Sequence, residues 1–309
     1  MIDFEVKNNL QKFDIEIISP TGANFDSELN RHIGDFDVLI PLVETAKPLV
    51  GFIKNNSSKE VVGISLQWSL FKPDGAIVYS ADTGVSSPGV LMGMKPRDPW
   101  MVGKTSLINS NELRFFSYFG NSLEGYIENA HKRIKYQRIK YNPLAEHIRE
   151  NISYIEYRKD TEKQRLGISK YIVSVDGIFF NDGIFIGENQ NLYFESTGGS
   201  IQSRRDFLRK LRKAKSTGKN DSEVLEYVIA DISKIIESIP EYKPISPRMR
   251  PGSSRFANGE EAFNQGYKSS LKHLKDEVIR RKTKFSDTVI INDFLEVEDK
   301  DFIEIHRES

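Results

Sequence analysis

Cysteine is absent from this sequence of 309 residues. The absence excludes disulfide bonds, thiolate-ligated zinc, iron–sulfur clusters and a cysteine nucleophile. It does not limit the fold, because a chain of this length can bury one large core or two modest ones without covalent cross-links.

Long apolar runs are also absent. No stretch of about 18 apolar residues occurs, so the sequence predicts no membrane-spanning helix. The first residues, Met1–Lys7, lack the basic segment and the apolar run of a secretory signal. We therefore expect a cytoplasmic protein, with secretion as the alternative if a leader peptide has been removed.

An excess of charge of one sign is absent as well. The chain carries 44 basic and 44 acidic side chains, and its formal net charge is zero. A chain devoted to nucleic acid is usually basic, so the balance argues against that role for the whole molecule. A composition of 38% hydrophobic and 28% charged residues is typical of a globular protein rather than a disordered one.

Motifs for nucleophilic catalysis and dinucleotide binding are missing: there is no Gly-x-Ser-x-Gly, and no Gly-x-Gly-x-x-Gly follows a strand. Residues 103–106 (GKTS) end like a phosphate-binding loop, but Asp98 stands where that loop needs glycine. His147 and Glu150 could place two metal ligands on one helix face, yet the other histidines are scattered singly. We therefore predict no catalytic residue, no cofactor and no metal site.

The first half of the chain alternates apolar and polar residues and is rich in turn signals, which is typical of an antiparallel sandwich or barrel. A proline ends the apolar run 38–43, which suggests an edge strand. The predicted strands are 13–17, 38–43, 48–53, 61–71, 76–79, 111–120 and 168–175, with 191–194 ending the set. A loop rich in glycine, proline and serine is predicted at 84–106.

Helical spacing of apolar residues appears in two places. The first, over 123–157 with a break at Pro143, predicts a helical insertion into the β domain. The second follows the glycine pair at 198–199, where three helices are predicted. The first covers 202–215, the second begins after an N-cap at 221–222, and the third covers 260–282. The end of the chain, 288–305, mixes apolar and acidic residues and predicts either a last strand or a docked tail.

Two Asp-Gly pairs, 176–177 and 182–183, lie too close together to form two hairpins. One of them is predicted to be a β-bulge and the other a hairpin turn. Asp176 and Asp182 are therefore expected to accept backbone hydrogen bonds at turns, with a calcium or ligand contact as the alternative.

A resemblance follows from these motifs. The string 55–57 (NNS), Trp68 and Gly75, followed by 176–187 (DGIFFNDGIFIG), resembles a loosely defined set of uncharacterised bacterial proteins with an immunoglobulin-like sandwich. The similarity covers about residues 50–200 at most. It implies a sandwich whose halves are separated in sequence, with helices after the second half, and it implies no reaction. The long insertion and long tail depart from that pattern.

The predicted fold class is α+β: an antiparallel immunoglobulin-like β-sandwich with a helical insertion and a C-terminal helical region. The predicted domains are a β-sandwich domain at 1–200, interrupted by the insertion at about 121–166, and a helical region at 201–309 packed on or beside it. No internal repeat stands out.

Basic clusters on two predicted helices are the most specific functional feature. Their dense positive charge could neutralise the phosphates of RNA or DNA, while Tyr136 and Tyr141 could stack on bases. The alternatives are a solvated helix face, or a helix docked on the acidic C-terminal residues 293–304. The residues predicted to bind polyanions are Lys132, Arg133, Lys135, Arg138, Arg204, Arg205, Arg209, Arg212 and Lys213.

Three functions remain open. The leading hypothesis is a non-enzymatic interaction or scaffold protein that binds a partner protein, with self-association as a variant of it. It follows from the lack of a catalytic constellation and from long additions to a fold that does not need them. The alternatives are polyanion binding through helices 131–140 and 202–215, and an enzyme whose site is not readable from sequence.

Overall fold

The structure is a computed structural model that describes residues 3–7, 10–33, 40–47, 49–86, 89–92, 108–118, 142–241 and 256–308. These residues form nine strands: β1 Asp3–Lys7, β2 Ile15–Ile18, β3 Val50–Asn55, β4 Val61–Phe71, β5 Ile77–Ser86, β6 Leu113–Ser117, β7 Lys170–Phe180, β8 Ile184–Ile186 and β9 His306–Glu308. They also form seven α-helices: α1 Phe25–Ile33, α2 Ile40–Ala46, α3 Asn142–Leu166, α4 Tyr193–Lys215, α5 Asp221–Ser238, α6 Gly259–Lys282 and α7 Asp287–Leu295.

The strands form two sheets. Sheet A has six strands in the order β5-β4-β7-β8-β9, with β1 added in parallel to β7, and it curls into a half-barrel. Sheet B is antiparallel in the order β2-β3-β6. The chain is therefore mixed α+β with mostly antiparallel pairing, as predicted, while the immunoglobulin-like form of the sandwich is not confirmed.

Alternation along β4 determines how the sheets stack. Ile64, Leu66, Trp68 and Leu70 point to one face, where they pack with residues of both sheets. Trp68 is fully buried, and its ring centroid lies 5.9 Å from that of Phe116 on sheet B. Burying such apolar side chains is the main favourable contribution to stability at this interface.

Helices cover the outer face of each sheet. On sheet B, Phe52 and Phe115 pack against α1, α2 and α3. On sheet A, Phe179 and Phe185 pack against the layer formed by α4, α5, α6 and α7. The Phe179 ring lies 5.5 Å from Tyr193 at the start of α4, so aromatic contacts join sheet A directly to the first helix of that layer.

As predicted, one of the two Asp-Gly pairs forms a β-bulge and the other forms a turn. The register of β7 against β4 shifts between the pairs Ser65–Gly177 and Leu66–Val175, which leaves Asp176 as the extra residue of a bulge. The second pair forms the turn to β8, where the backbone N–H of Gly183 donates to the carbonyl of Phe180 at 3.0 Å.

The prediction of an edge strand at 38–43 is wrong for the residues of this run that the structure describes, because α2 occupies Ile40–Ala46. Pro41 lies in the first turn of the helix, where a missing backbone N–H costs nothing. Leu42, Val43 and Ala46 are buried at helical spacing. Lys159 of α3 donates to the carbonyl of Thr45 at 2.8 Å, which satisfies an unpaired acceptor at the end of this helix.

Three further boundaries differ from prediction. Residues 191–194 do not end the strand set, because α4 begins at Tyr193. The helix runs through Gly198 and Gly199, although the sequence predicts that the helical region starts after them. The cap of α5 is Asn220, whose side chain accepts from the backbone N–H of Glu223 in a capping box. The C-terminal residues form α7, and β9 then pairs in parallel with β8. Within the described ranges, no helix is both long and apolar enough to cross a bilayer.

Close packing of α4 on α6 requires glycine. A Cβ added at Gly199 would lie 2.0 Å from the carbonyl oxygen of Phe263, and one at Gly266 would lie 1.9 Å from that of Ser196. Side chains larger than hydrogen at these points would push the helices apart, so the glycines permit the approach although they weaken an isolated helix.

We predict that Gly199→Ala lowers the free energy of unfolding by about 1–3 kcal/mol through overpacking. Gly198→Ala is the matched control, since its Cβ would meet Ile305 at an ordinary 3.5 Å. The control should keep or raise stability by up to about 1 kcal/mol, because alanine favours a helix. Chemical denaturation measures both, and equal stability of the two variants would contradict the close contact.

Candidate functional site

A groove of about 310 Å³ lies where the first half of α4, the start of α6 and the residues before β9 meet. Its lining combines aromatic and aliphatic side chains with a few charged ones. The lining residues are Phe194, Glu195, Gly198, Ile201, Gln202, Arg205, Phe263, Ile303, Glu304 and Ile305.

The groove exists because three elements meet without filling the space between them. Gly198 exposes the α4 backbone at its floor. Phe263 stays 36% exposed on one side and stacks on Tyr267, with 6.4 Å between ring centroids. The opposite side is held by the backbone N–H of Ile303, which donates to the carbonyl of Leu91 at 3.1 Å. The result is an apolar recess that opens to solvent.

The charged lining residues leave the groove with more negative than positive charge. Arg205 donates to Glu304 at 3.0 Å and lies over the Phe302 ring at 5.0 Å. Glu195 accepts a hydrogen bond from the side chain of Asn189 at 2.7 Å. Two carboxylates therefore face one guanidinium at the rim, and Glu304 remains 73% exposed.

A hydrogen-bond chain supports the floor beneath Gln202. Gln202 donates to one oxygen of Asp206 at 3.0 Å, and the Tyr267 hydroxyl donates to the other at 3.0 Å. Burial and the neighbouring Asp206 carboxylate raise the pKa of Tyr267 above its usual range. The hydroxyl thus stays protonated as a donor that ties α6 to α4.

Most of the α4 arginines predicted to bind polyanions turn toward the C-terminal segment instead of toward open solvent. Arg204 is buried, with its guanidinium 5.8 Å from the Phe294 ring of α7. Arg212 pairs with Asp299 at 3.3 Å and also donates to the carbonyl of Val297. Arg209 lies 4.0 Å from the same Asp299 but remains 56% exposed.

Lys213 differs from the arginines, because it is exposed and makes no ion pair with another described residue. The structure thus pairs much of α4 with the acidic residues near the end of the chain, one of the alternatives that the charge pattern leaves open. Asp299 and Glu304 make those contacts, while Asp293 pairs with Arg281 on α6.

Several other candidates lie outside the described residues. These are the basic cluster Lys132, Arg133, Lys135 and Arg138, the residues 103–106 and most of the loop 84–106. The backbone of His147 belongs to α3, but its side chain is also outside them, while Glu150 is exposed. Within the described ranges, no three His, Cys, Asp or Glu side chains come together as metal ligands.

Asp176 is buried at the β7 bulge and is occupied by donors from the chain itself. Its carboxylate accepts from the Ser65 hydroxyl at 3.2 Å and from the backbone N–H groups of Gln190 and Asn191 at 2.6 and 3.1 Å. Burial raises the pKa of Asp176, and these hydrogen bonds oppose the shift. The donors come from the loop before α4, so Asp176 joins that loop to sheet A.

Asp182 has the simpler role predicted for it. Its side chain accepts from the backbone N–H of Ile184 at 3.2 Å in the turn to β8. It also pairs with Lys59 at 2.7 Å, with both side chains 40% exposed. An ion pair this exposed contributes little to stability.

The groove's apolar residues were not found from the sequence. The sequence predicts a strand at Phe194 and does not single out Phe263, while the segment 303–305 falls in the predicted last strand or docked tail. A usable signal was present: small residues recur four apart on both helices, as Ser196 and Ser200 on α4 and as Gly266 and Ser270 on α6. Such spacing marks one helix face where a neighbouring backbone can come close.

Comparison of this chain with family models, with curated proteins and with solved structures found no match. The resemblance to immunoglobulin-like bacterial proteins therefore stays a prediction.

We predict that Asp176→Asn lowers the free energy of unfolding by about 1–3 kcal/mol, since an amide nitrogen would replace one acceptor of this buried cluster. The folded-state pKa of Asp176 is raised, so its stabilising contribution is greatest below the unfolded pKa and declines as pH rises through the folded one. Denaturation at several pH values should therefore show the largest difference between the two proteins at acid pH.

The matched control is Asp182→Asn, which keeps an acceptor for the N–H of Ile184 and should cost less than about 0.5 kcal/mol. An Asp176→Asn variant as stable as the control would contradict a structural role for the buried carboxylate.

Proposed function

We propose that the chain is a non-enzymatic interaction protein that binds a segment of a partner protein in the groove between α4, α6 and the residues before β9. One observation carries the proposal: an apolar recess with a partly exposed phenylalanine, Phe263, lies inside a charged rim. Recesses that take an aromatic or aliphatic anchor, surrounded by polar groups, are typical of the central part of protein interfaces.

The size of the groove supports a peptide side chain as its occupant. A volume of about 310 Å³ is at the lower end of the range for small-molecule sites, which hold a whole ligand at roughly 300–1,000 Å³. One or two apolar side chains of a partner would fill it. The contacts would be made with Ile201, Phe263 and Ile305.

The rim charges support a particular flanking residue on the partner. Glu195 and Glu304 both border the recess, and Arg205 already pairs with Glu304. A lysine or arginine next to the partner's apolar anchor would meet these carboxylates, and such complementarity steers association and selects partners. The expected occupant is therefore a segment with an apolar anchor and a basic neighbour.

The β part of the molecule serves in this proposal as scaffold. Sheet A and the helical layer share one apolar cluster, so the groove is built on a packed support. An immunoglobulin-like relationship, a cytoplasmic location and the domain division at residue 200 all stay predictions. Self-association remains a variant in which a second copy supplies the segment.

We predict that Phe263→Ala weakens binding of groove ligands about 30-fold, because it removes one wall of the recess. The ligands would be peptides selected from a random display library against the full chain. The selected sequences should combine an apolar residue with an adjacent lysine or arginine, and Glu304→Gln should weaken the same peptides. Affinity is measured by fluorescence polarisation.

The matched control is Tyr157→Ala, which removes an exposed aromatic ring of α3. It should leave peptide affinity unchanged. Selected peptides that bind the Phe263→Ala variant as tightly as the parent protein would reject the groove as the docking site.

Polyanion binding through α4 is the second candidate. It is favoured by the exposure of Arg209 and Lys213 on the same helix, and it is opposed by the pairing of Arg205 and Arg212 with carboxylates. Only part of the helix's positive charge would therefore be available to phosphates.

If α4 binds RNA or DNA, reversing the charge at Arg205, Arg209 and Lys213 to glutamate should abolish binding. Added salt should also weaken binding steeply, since neutralised phosphates release counterions. A gel-shift titration at several salt concentrations measures both effects. Binding that is absent or independent of salt would reject this candidate.

A further inference from the structure

The end of the helical layer away from the groove is rich in positive charge and in exposed apolar side chains. It consists of two segments. Residues 213–227 comprise the last residues of α4, the turn that follows and the first residues of α5. Residues 279–289 comprise the last residues of α6, the turn that follows and the first residues of α7. We call these two segments the basic end. The peptide-binding proposal does not involve them.

The packing of α4 on α6 determines where these two segments lie. Ser200 of α4 donates to the carbonyl of Gly266 of α6 at 3.2 Å, and Ser270 donates to the carbonyl of Ser200 at 3.3 Å. From there α4 continues about 22 Å to Lys215 and α6 about 24 Å to Lys282. Gly259, the first residue of α6, lies beside Glu195 near the start of α4, so the two helices run in the same direction.

A hydrogen bond closes this end of the layer. Asp221, at the start of α5, pairs with Lys215 and accepts from the hydroxyl of Thr288 at 2.5 Å. Thr288 belongs to the first turn of α7. The turn between α6 and α7 therefore lies beside the turn between α4 and α5.

The basic end carries seven cationic and four acidic side chains, in a chain whose net charge is zero. Three of the cations are paired within the layer: Lys215 with Asp221, Arg281 with Asp293, and Lys282 with Asp287. The other four are exposed and make no ion pair with a described residue; they are Lys213, Lys219, Arg280 and Lys284.

Exposed apolar side chains concentrate at the same end. Of nine large hydrophobic residues that are exposed in the described ranges, four lie here. They are Tyr227 at 50%, Ile279 at 47%, Phe285 at 50% and Val289 at 43%. Phe285 and Val289 lie in and just after the turn between α6 and α7, next to Lys284.

We propose that the basic end is a docking surface for an anionic lipid membrane. Such a surface offers negative headgroups to the four cations and an apolar interior to Phe285, Val289 and Ile279. Two of these side chains also make cation–π contacts within the layer: Lys219 lies 4.4 Å from the centre of the Tyr227 ring, and Arg281 lies 5.6 Å from that of Phe285. A nucleic acid would use the cations and could stack on Tyr227 and Phe285, but it offers nothing to the two aliphatic side chains. The mode of binding is peripheral, through side chains at the tips of two turns.

The expected change in membrane partitioning follows from the charges and the apolar side chains involved. Each lysine or arginine near an anionic membrane surface strengthens partitioning about fivefold. Two half-exposed apolar side chains that enter the interface add about tenfold together. Removing either set should therefore be measurable while the other set remains.

The test is sedimentation of the full chain with vesicles. The chain should bind vesicles of phosphatidylcholine mixed with phosphatidylserine and should not bind phosphatidylcholine alone. Lys219→Glu with Lys284→Glu should lower partitioning at least about 25-fold. Phe285→Ser with Val289→Ser should lower it about tenfold.

Matched controls make the same chemical changes elsewhere: Lys72→Glu with Lys234→Glu for charge, and Ile77→Ser with Tyr157→Ser for apolar surface. Both controls should bind as the parent protein does, as should Phe263→Ala in the groove. Thermal unfolding of every variant confirms that it is folded.

Three results would overturn the proposal. The first is an absence of binding to the anionic vesicles. The second is an equal loss of binding in the matched controls. The third is binding to single-stranded polyuridylate that the charge pair abolishes, with vesicle binding unaffected by the apolar pair, which would assign the basic end to nucleic acid.

Discussion

The buried carboxylate of Asp176 decides where the helical layer begins. It lies at the bulge of β7, and its donors are the hydroxyl of Ser65 on β4 and two backbone N–H groups of the loop that leads into α4. A buried carboxylate without donors is costly, so the loop must keep its N–H groups on these oxygens. Gly187 makes the approach feasible: it has a φ of +125°, and a Cβ there would lie 2.4 Å from the carbonyl of Asp176. The position of α4 follows from this junction, and the other helices pack on α4.

Along α4, three kinds of contact succeed one another. Its first turns approach α6 through Gly199 and leave the groove beside them. Its middle arginines meet the C-terminal segment, and its last turn reaches the basic end. Along α4, about 12 Å of helix separates Arg205 at the groove from Lys213 at the basic end. Because the two candidate surfaces share no side chain, occupation of one does not require or exclude occupation of the other.

The pairing of α4 with the C-terminal segment is mainly an apolar contact with charges at its edge. Val297 and Phe302 are buried in the same cluster as Phe207 and Leu208 of α4. The exposed pairs around them, such as that of Arg209 with Asp299, contribute little to stability on their own. Their effect is to neutralise arginines that would otherwise be open to an external anion. The sequence of a basic helix, taken without the residues that pack on it, therefore overstates the positive charge available to a polyanion.

Local patterns determined much of this protein from the sequence alone. Period-two alternation located β2 and β4, and apolar runs between turn signals located β3, β6 and β7. Helical periodicity located α5 and α6, and the two Asp-Gly pairs indicated a bulge and a turn. Each of these signals depends only on near neighbours in the chain. Tertiary contacts decided the rest. A short apolar run such as 38–43 fits strand or helix equally, and packing against α3 made its described part a helix. The start of α4, the groove, and the choice of Asp299 and Glu304 as partners for its arginines all depend on residues far apart in sequence. Burial and charge pairing at those points are properties of the assembled layers, and no local period encodes them.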